Sequence, residues 1–121
     1  MLKHIKHHHD FMWRYLIALL KSFLRPSTIF LFFLSTTMIF ISAGLFYFLE
    51  KGENPHLLSF LDSVYFTVTT TTGVGFGDIT PISNAGKILA MFMMIIGTGF
   101  FVSFTAIIAT SLMDIEKQRK L

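Results

Sequence analysis

The sequence predicts an all-α membrane protein. Two transmembrane helices flank a re-entrant helix and loop, an amphipathic helix precedes them at the membrane interface, and the unit repeats around a four-fold axis. Three observations carry this prediction. Of 121 residues, 53% are hydrophobic and 14% charged, too little charge to cover the surface of a water-soluble domain. Two stretches, from Pro26 to Leu49 and from Ile88 to Met113, hold no charged residue and are long enough to cross a bilayer. The connection between them is too apolar for an exposed loop and too short for another pair of spans. Cysteine is absent, so there is no disulfide framework and no thiolate metal site.

The elements follow in chain order. Residues 1–26 form a cytoplasmic segment in which Phe11, Met12, Tyr15, Leu16, Leu19, Leu20, Phe23 and Leu24 recur at helical spacing. Asp10, Arg14, Lys21 and Arg25 fall on the opposite stripe. This pattern predicts a helix lying in the interface, with Trp13 and Tyr15 at headgroup depth; packing on a cytosolic domain is the alternative. Arg14 and Lys21 interrupt the first apolar stretch and no small-residue cleavage site follows, which argues against a signal peptide. The run His7-His8-His9 is a poor metal site, because adjacent histidines on a frayed terminus rarely converge on one ion.

The outer span covers residues 27–50, with Pro26 in its first turn, where a missing N–H is no loss. Its roughly 24 uncharged positions reach about 36 Å as a helix, against a hydrocarbon core of about 30 Å. A charge at the centre would cost about 2.5–3.5 kcal/mol, which explains the clean gap. The inner span covers 85–113, and 114–121 is a short cytoplasmic tail. Lys3, Lys6, Arg14, Lys21 and Arg25 precede the first span and Lys117, Arg119 and Lys120 follow the second, while only Lys51 and Lys87 lie between. Both termini are therefore expected in the cytoplasm. The connector's Glu50, Glu53, Asp62 and Asp78 would concentrate cations outside.

The connector holds the chemistry. A turn cluster, Lys51-Gly52-Glu53-Asn54-Pro55, leads into a helix read from Leu57 to Thr70, then into Thr71-Thr72-Gly73-Val74-Gly75-Phe76-Gly77-Asp78. Irregular backbone survives at membrane depth only where it is buried in protein or lines a water-filled path. Glycine permits left-handed dihedrals, so glycines alternating with Val74 and Phe76 can turn successive carbonyls the same way. Four copies around an axis would stack these oxygens in rings that replace a cation's hydration shell. The C-terminal end of the preceding helix would favour a cation there. One chain cannot enclose such a path, so a four-fold assembly is implied. The glycines fit neither a Walker loop nor a dinucleotide fingerprint, whose spacings differ.

The run Tyr65-Phe66-Thr67-Val68-Thr69-Thr70-Thr71-Thr72-Gly73-Val74-Gly75-Phe76-Gly77-Asp78, followed by Ile79-Thr80-Pro81, closely resembles the signature region of potassium channels. The resemblance extends over residues 27–113 and is closest to prokaryotic two-span channels. It implies a homotetrameric, potassium-selective pore in the plasma membrane, with K+ ions held by Gly73, Val74, Gly75, Phe76 and Gly77. Thr72 and Asp78 would flank this filter, residues 57–78 would supply pore helix and filter together, and Tyr65 and Phe66 would form an aromatic cuff. Two positions depart from the family's T-V-G-Y-G. Phe76 replaces the tyrosine and loses a phenol hydrogen bond. Gly73 stands where a threonine hydroxyl normally lines the innermost ion site, so that site is expected to be weakened.

The inner span carries Gly97-Thr98-Gly99. Close helix packing through small residues is one reading. The resemblance implies the other, a gating hinge at Gly97 with Gly99 beside it, since glycine lowers helix stability by about 1 kcal/mol relative to alanine. It also implies that Thr98, Phe101, Thr105 and Ala109 face the cavity, whereas Met91, Met93 and Met94 read as packing residues. No span carries the repeated arginines of a voltage sensor. Related channels continue into a cytosolic ligand-binding domain, often of the regulator-of-conductance type, and this pore is expected to come from such a longer chain, a naturally minimal channel being the alternative. The expected partners are thus further copies, lipid and that domain, with no nucleic acid, no organic cofactor and no enzyme activity. A non-selective cation channel, motivated by Gly73, and a non-conducting two-span accessory subunit are the alternatives.

Overall fold

The computed structural model describes residues 2–121, with side chains described from His9 onward, so His7 and His8 of the histidine run lie outside the described side chains. The helices are α1 (Leu2–Phe23), α2 (Pro26–Glu50), α3 (Phe60–Thr71) and α4 (Asn84–Lys120). Of these, α2 and α4 are long and apolar enough to cross a membrane. Their apolar residues point all round: Phe30, Phe32, Phe33, Phe40 and Phe48 on α2 are exposed on the isolated chain, as are Ile88, Phe92 and Ile95 on α4. Such uniform apolarity suits helices solvated by lipid.

Two boundaries differ from the sequence expectation. The short helix begins at Phe60 rather than Leu57, because a capping box fixes its start. Ser59 Oγ accepts from the Asp62 amide while Asp62 Oδ2 accepts from the Ser59 amide at 2.8 Å. Leu57, freed from the helix, is buried in the core instead. The inner helix continues through Lys120 rather than stopping at Met113. Its last turns mix charges at helical spacing, with Glu116 and Lys120 paired at 3.7 Å, and basic residues there suit the negative end of the helix dipole.

The chain divides into two compact units, residues 32–102 and residues 1–31 with 103–121. The core of the first comprises Phe46, Leu57, Phe66, Ile79, Ala90 and Met93, with Met38, Tyr47 and Leu89 against it. Phe46 of α2 and Phe66 of α3 stack with centroids 4.0 Å apart, and Ser63 Oγ donates to the Ala43 carbonyl. Lipid is as apolar as these side chains, so tight packing and interhelical hydrogen bonds hold them together rather than release of water.

A polar latch joins the end of α2 to the start of α4. Glu50 is fully buried, and its carboxylate accepts from Asn54 Nδ2 at 2.9 Å, the Ile82 amide at 2.8 Å, the Ser83 amide at 2.9 Å and Ser83 Oγ. Asn54 Nδ2 donates also to the Thr80 carbonyl, at 2.8 Å. Such donors compensate a charge withdrawn from water, and a carboxylate at a helix N-terminus gains from the dipole. Gly86 permits the approach, since a Cβ there would collide with Glu50 Oε1.

In the second unit, α1 lies along the last turns of α4. Positions 14, 17, 18, 21, 22 and 25 meet positions 111, 114, 115 and 118 around one cavity. Arg14, Lys21 and Arg25 border this cavity and stay exposed, as does the apolar stripe with Met12, Trp13, Leu16, Leu20 and Phe23. The Arg119 guanidinium sits 5.4 Å from the centre of the Phe11 ring, a cation–π contact.

Candidate functional site

The site grows from the C-terminal end of α3. Thr72 caps the helix with φ −80°, and the next residue, Gly73, turns left-handed at φ +80°. This is the position after a helix cap where glycine ends a helix without a Cβ penalty. The Gly73 amide donates to the Thr70 carbonyl at 3.2 Å and the Gly75 amide to the Thr69 carbonyl at 2.9 Å. Thr72 Oγ1 donates to the Val68 carbonyl at 2.7 Å. The Gly73 and Gly75 amides thus satisfy carbonyls that the helix end leaves unpaired.

From there the backbone alternates. Gly73, Gly75 and Gly77 have φ of +80°, +53° and +79°, while among the described residues no non-glycine residue has a positive φ. The intervening Val74 and Phe76 are therefore right-handed or extended. Such alternation turns successive carbonyls to the same side. Residues 72–78 are all exposed on the single chain, Val74 at 59% and Phe76 at 70%. The chain does not cover this loop.

The outer end is held by α3. Tyr65 Oη donates to Asp78 Oδ2 at 2.8 Å, and its ring lies parallel to that of Phe76 with centroids 6.4 Å apart. That hydrogen bond, with some desolvation and the Asp78 charge, pushes the Tyr65 phenol above its ordinary pKa. Phe66, one residue on and about 100° around the helix, points into the core against Phe46.

The two inner-helix glycines differ. Gly97 is buried, and a Cβ there would collide with the Thr71 carbonyl oxygen and lie 2.6 Å from Thr71 Cγ2. Gly99 is exposed and has open space around it. The helix runs unbroken through both. Thr98 and Phe101 are exposed, Thr98 Oγ1 donating to the Met94 carbonyl at 2.7 Å. Thr105 and Ala109, further along α4, are exposed as well.

This arrangement presents an exposed loop of alternating left-handed glycines between two spans. The profile of the ion-channel family matches residues 32–114. The chain belongs to the ion-channel family. It is accordingly a multi-pass membrane protein, its spans being α2 and α4. Among similar proteins, the voltage-gated potassium channel Kch of Escherichia coli is 36% identical over 98 residues, covering 77% of this chain and 24% of Kch. The hyperpolarization-activated voltage-gated potassium channel of Methanocaldococcus jannaschii is 42% identical over 67 residues, covering 55% of this chain and 30% of that one. The calcium-gated potassium channel TvoK of Thermoplasma volcanium is 37% identical over 62 residues, covering 51% and 18%. The chain spans less than a third of the length of these relatives. A solved voltage-gated K+ channel pore module, crystallised in a closed state in lipid membranes, superposes with a TM-score of 0.54. That match covers 74% of this chain and 90% of the other at 24% identity, a likeness of fold.

Sequence reasoning missed the Glu50 latch and the contact of Gly97 with Thr71. A glutamate ending an apolar span, followed four residues later by asparagine, was the available signal for the first. Nothing local signals the second.

Proposed function

We propose that this chain is the pore-forming subunit of a homotetrameric potassium channel, conducting K+ passively across the plasma membrane with both termini in the cytoplasm. The observation that carries this reading is the left-handed alternation at Gly73, Gly75 and Gly77 in a segment its own chain leaves exposed. Four such segments around an axis supply the carbonyl rings that a dehydrated K+ requires. The names of the relatives and the charge asymmetry of the two spans support the same conclusion.

In this reading residues 27–113 are the pore domain, and ions are held from Gly73 to Gly77. Asp78 is anchored by Tyr65 at the outer mouth, and Thr72 lies at the inner end. Thr98, Phe101, Thr105 and Ala109 line the cavity. The bend of the inner helix falls at Gly99, where an added Cβ would meet nothing within 4 Å, while Gly97 stays packed on the end of α3. The chain performs no catalysis; its partners are three further copies, lipid and a cytosolic gating domain. Gly73 brings no side-chain hydroxyl to the innermost ion site, which favours as a second reading a channel less selective among monovalent cations.

The test is potassium flux and reversal potential in liposomes of the purified protein. Selective potassium flux is expected. A reversal potential near zero in opposed sodium and potassium selects the second reading, and no flux of either ion overturns both.

A further inference from the structure

We propose that the cavity between α1 and the last turns of α4 binds the phosphate-bearing headgroup of an anionic membrane lipid. Arg14, Lys21 and Arg25 line it from one side and Gln118 and Asp114 from the other, around a space of about 340 Å³. That volume suits a small headgroup, being near the lower end of ligand pockets at about 300–1,000 Å³. Three cations thus meet one carboxylate. Among the described residues none of the three is ion-paired with Asp114, and the pair that forms on α4 joins Glu116 to Lys120 instead. The serine hydroxyls in the wall already donate to their own helix carbonyls, Ser22 to Ala18 at 2.8 Å and Ser111 to Ile107 at 2.9 Å. The free donors are therefore the guanidinium and ammonium groups, and arginine matches phosphate oxygens in bidentate fashion.

The same helix fixes the depth of the cavity. Met12, Trp13, Leu20 and Leu24 are exposed at 68%, 62%, 55% and 71%, an apolar face that seats α1 in the interfacial layer. The basic residues then sit at headgroup level, where a lipid phosphate is always near and a soluble anion must be drawn from bulk water. Ile17, Ala18 and Ile115 give the cavity an apolar wall for the glycerol region. This inference rests on the chain lying in a membrane, not on its conducting ions.

The experiment uses the full chain, delipidated and returned to phosphatidylcholine nanodiscs with graded phosphatidylglycerol. Bound lipid is counted by native mass spectrometry, with helix content followed by circular dichroism. Each of Arg14→Gln, Lys21→Gln and Arg25→Gln is expected to weaken phosphatidylglycerol retention about fivefold, the effect of one basic group at an anionic surface. Asp114→Asn is expected to strengthen retention, and Lys51→Gln, on the connector, to leave it unchanged. Equal retention in wild type and the single variants overturns the proposal, as does loss in Lys51→Gln equal to theirs. Displacement of the lipid by millimolar inorganic phosphate assigns the cavity to a soluble anion and overturns the lipid assignment. Flux measured on the same preparations separates the two readings: selective lipid retention by a protein that conducts nothing leaves this site standing while the channel reading falls.

Discussion

Replacing Gly97 by alanine tests how the inner helix and the pore helix share space. The new methyl group would collide with the Thr71 carbonyl oxygen and lie 2.6 Å from Thr71 Cγ2 and 2.7 Å from Thr71 Cα. Carbon atoms prefer about 3.5–4.0 Å, so the contact must open by roughly 1 Å. Two of the offended atoms are backbone, and a rotamer change cannot move them. They belong to the end of α3, whose Thr69 and Thr70 carbonyls hold the Gly75 and Gly73 amides. Overpacking of this kind costs about 1–3 kcal/mol, and alanine returns about 1 kcal/mol of helix propensity. Gly99→Ala gains the same propensity with nothing nearby to strike, so the difference between the variants isolates the clash, about 1–3 kcal/mol per subunit. Melting of the detergent-solubilised protein, with liposome flux alongside, provides the comparison. Gly97→Ala is expected to melt below wild type with altered filter function. Gly99→Ala should melt above it and show a reduced open probability, because a stiffer helix bends less. A Gly97→Ala protein that melts at or above wild type with an unchanged reversal potential refutes the packing argument.

Gly75→Ala and Gly77→Ala, at φ of +53° and +79°, should abolish conduction while leaving assembly intact; wild-type flux in either removes the filter assignment. A mass measurement in detergent should find four chains per particle, and a stable conducting dimer would contradict it. Glu50→Gln keeps one acceptor oxygen where the carboxylate now accepts on both. Charge-assisted hydrogen bonds contribute about 1.5–3 kcal/mol each, so the variant should melt well below wild type; an unchanged melting temperature would show that the latch bears no load.

What was legible in the sequence depended on how local its cause was. The two spans were readable because a charge inside either is costly and the gaps are clean. The need for left-handed backbone was readable in the glycine alternation itself. The start of α3 was misplaced because Leu57 and Leu58 are apolar enough to pass for helix, although the Ser59–Asp62 capping box was there to correct it. The length of α4 was cut at Asp114 because membrane thickness, not helix propensity, set the limit. The resemblance places Tyr65 and Phe66 together in one aromatic cuff, but adjacent residues on a helix point about 100° apart. One reaches Asp78 and the other Phe46. In the sequence Glu50 has the look of an outer-surface charge, because its partners at Ile82 and Ser83 lie more than thirty residues away.

Gly73 shows how a local and a distant cause meet in one residue. The family resemblance alone sets it where a threonine hydroxyl is expected, and on that reading Gly73→Thr would restore the innermost ion site. Its conformation says otherwise. At φ +80° it is the left-handed residue that ends α3, and its amide closes on the Thr70 carbonyl. The left-handed conformation costs an L-residue about 1–2 kcal/mol, with asparagine among the most tolerant, and β-branching adds to the penalty. There is room for a side chain, since nothing lies within 4 Å of a Cβ built there, so the obstacle is dihedral rather than steric contact with neighbours. Threonine must therefore either bear this strain or turn the junction right-handed, which redirects the chain beyond it and releases the Gly75 amide from the Thr69 carbonyl. Melting of the assembled protein is expected to fall in the order glycine, asparagine, threonine at position 73. Crystals of Gly73→Thr soaked in thallium should show a gain at the innermost site only where the φ of residue 73 has become negative. A threonine variant as stable as wild type, with residue 73 still left-handed, would refute the assignment of Gly73 as the helix-ending residue.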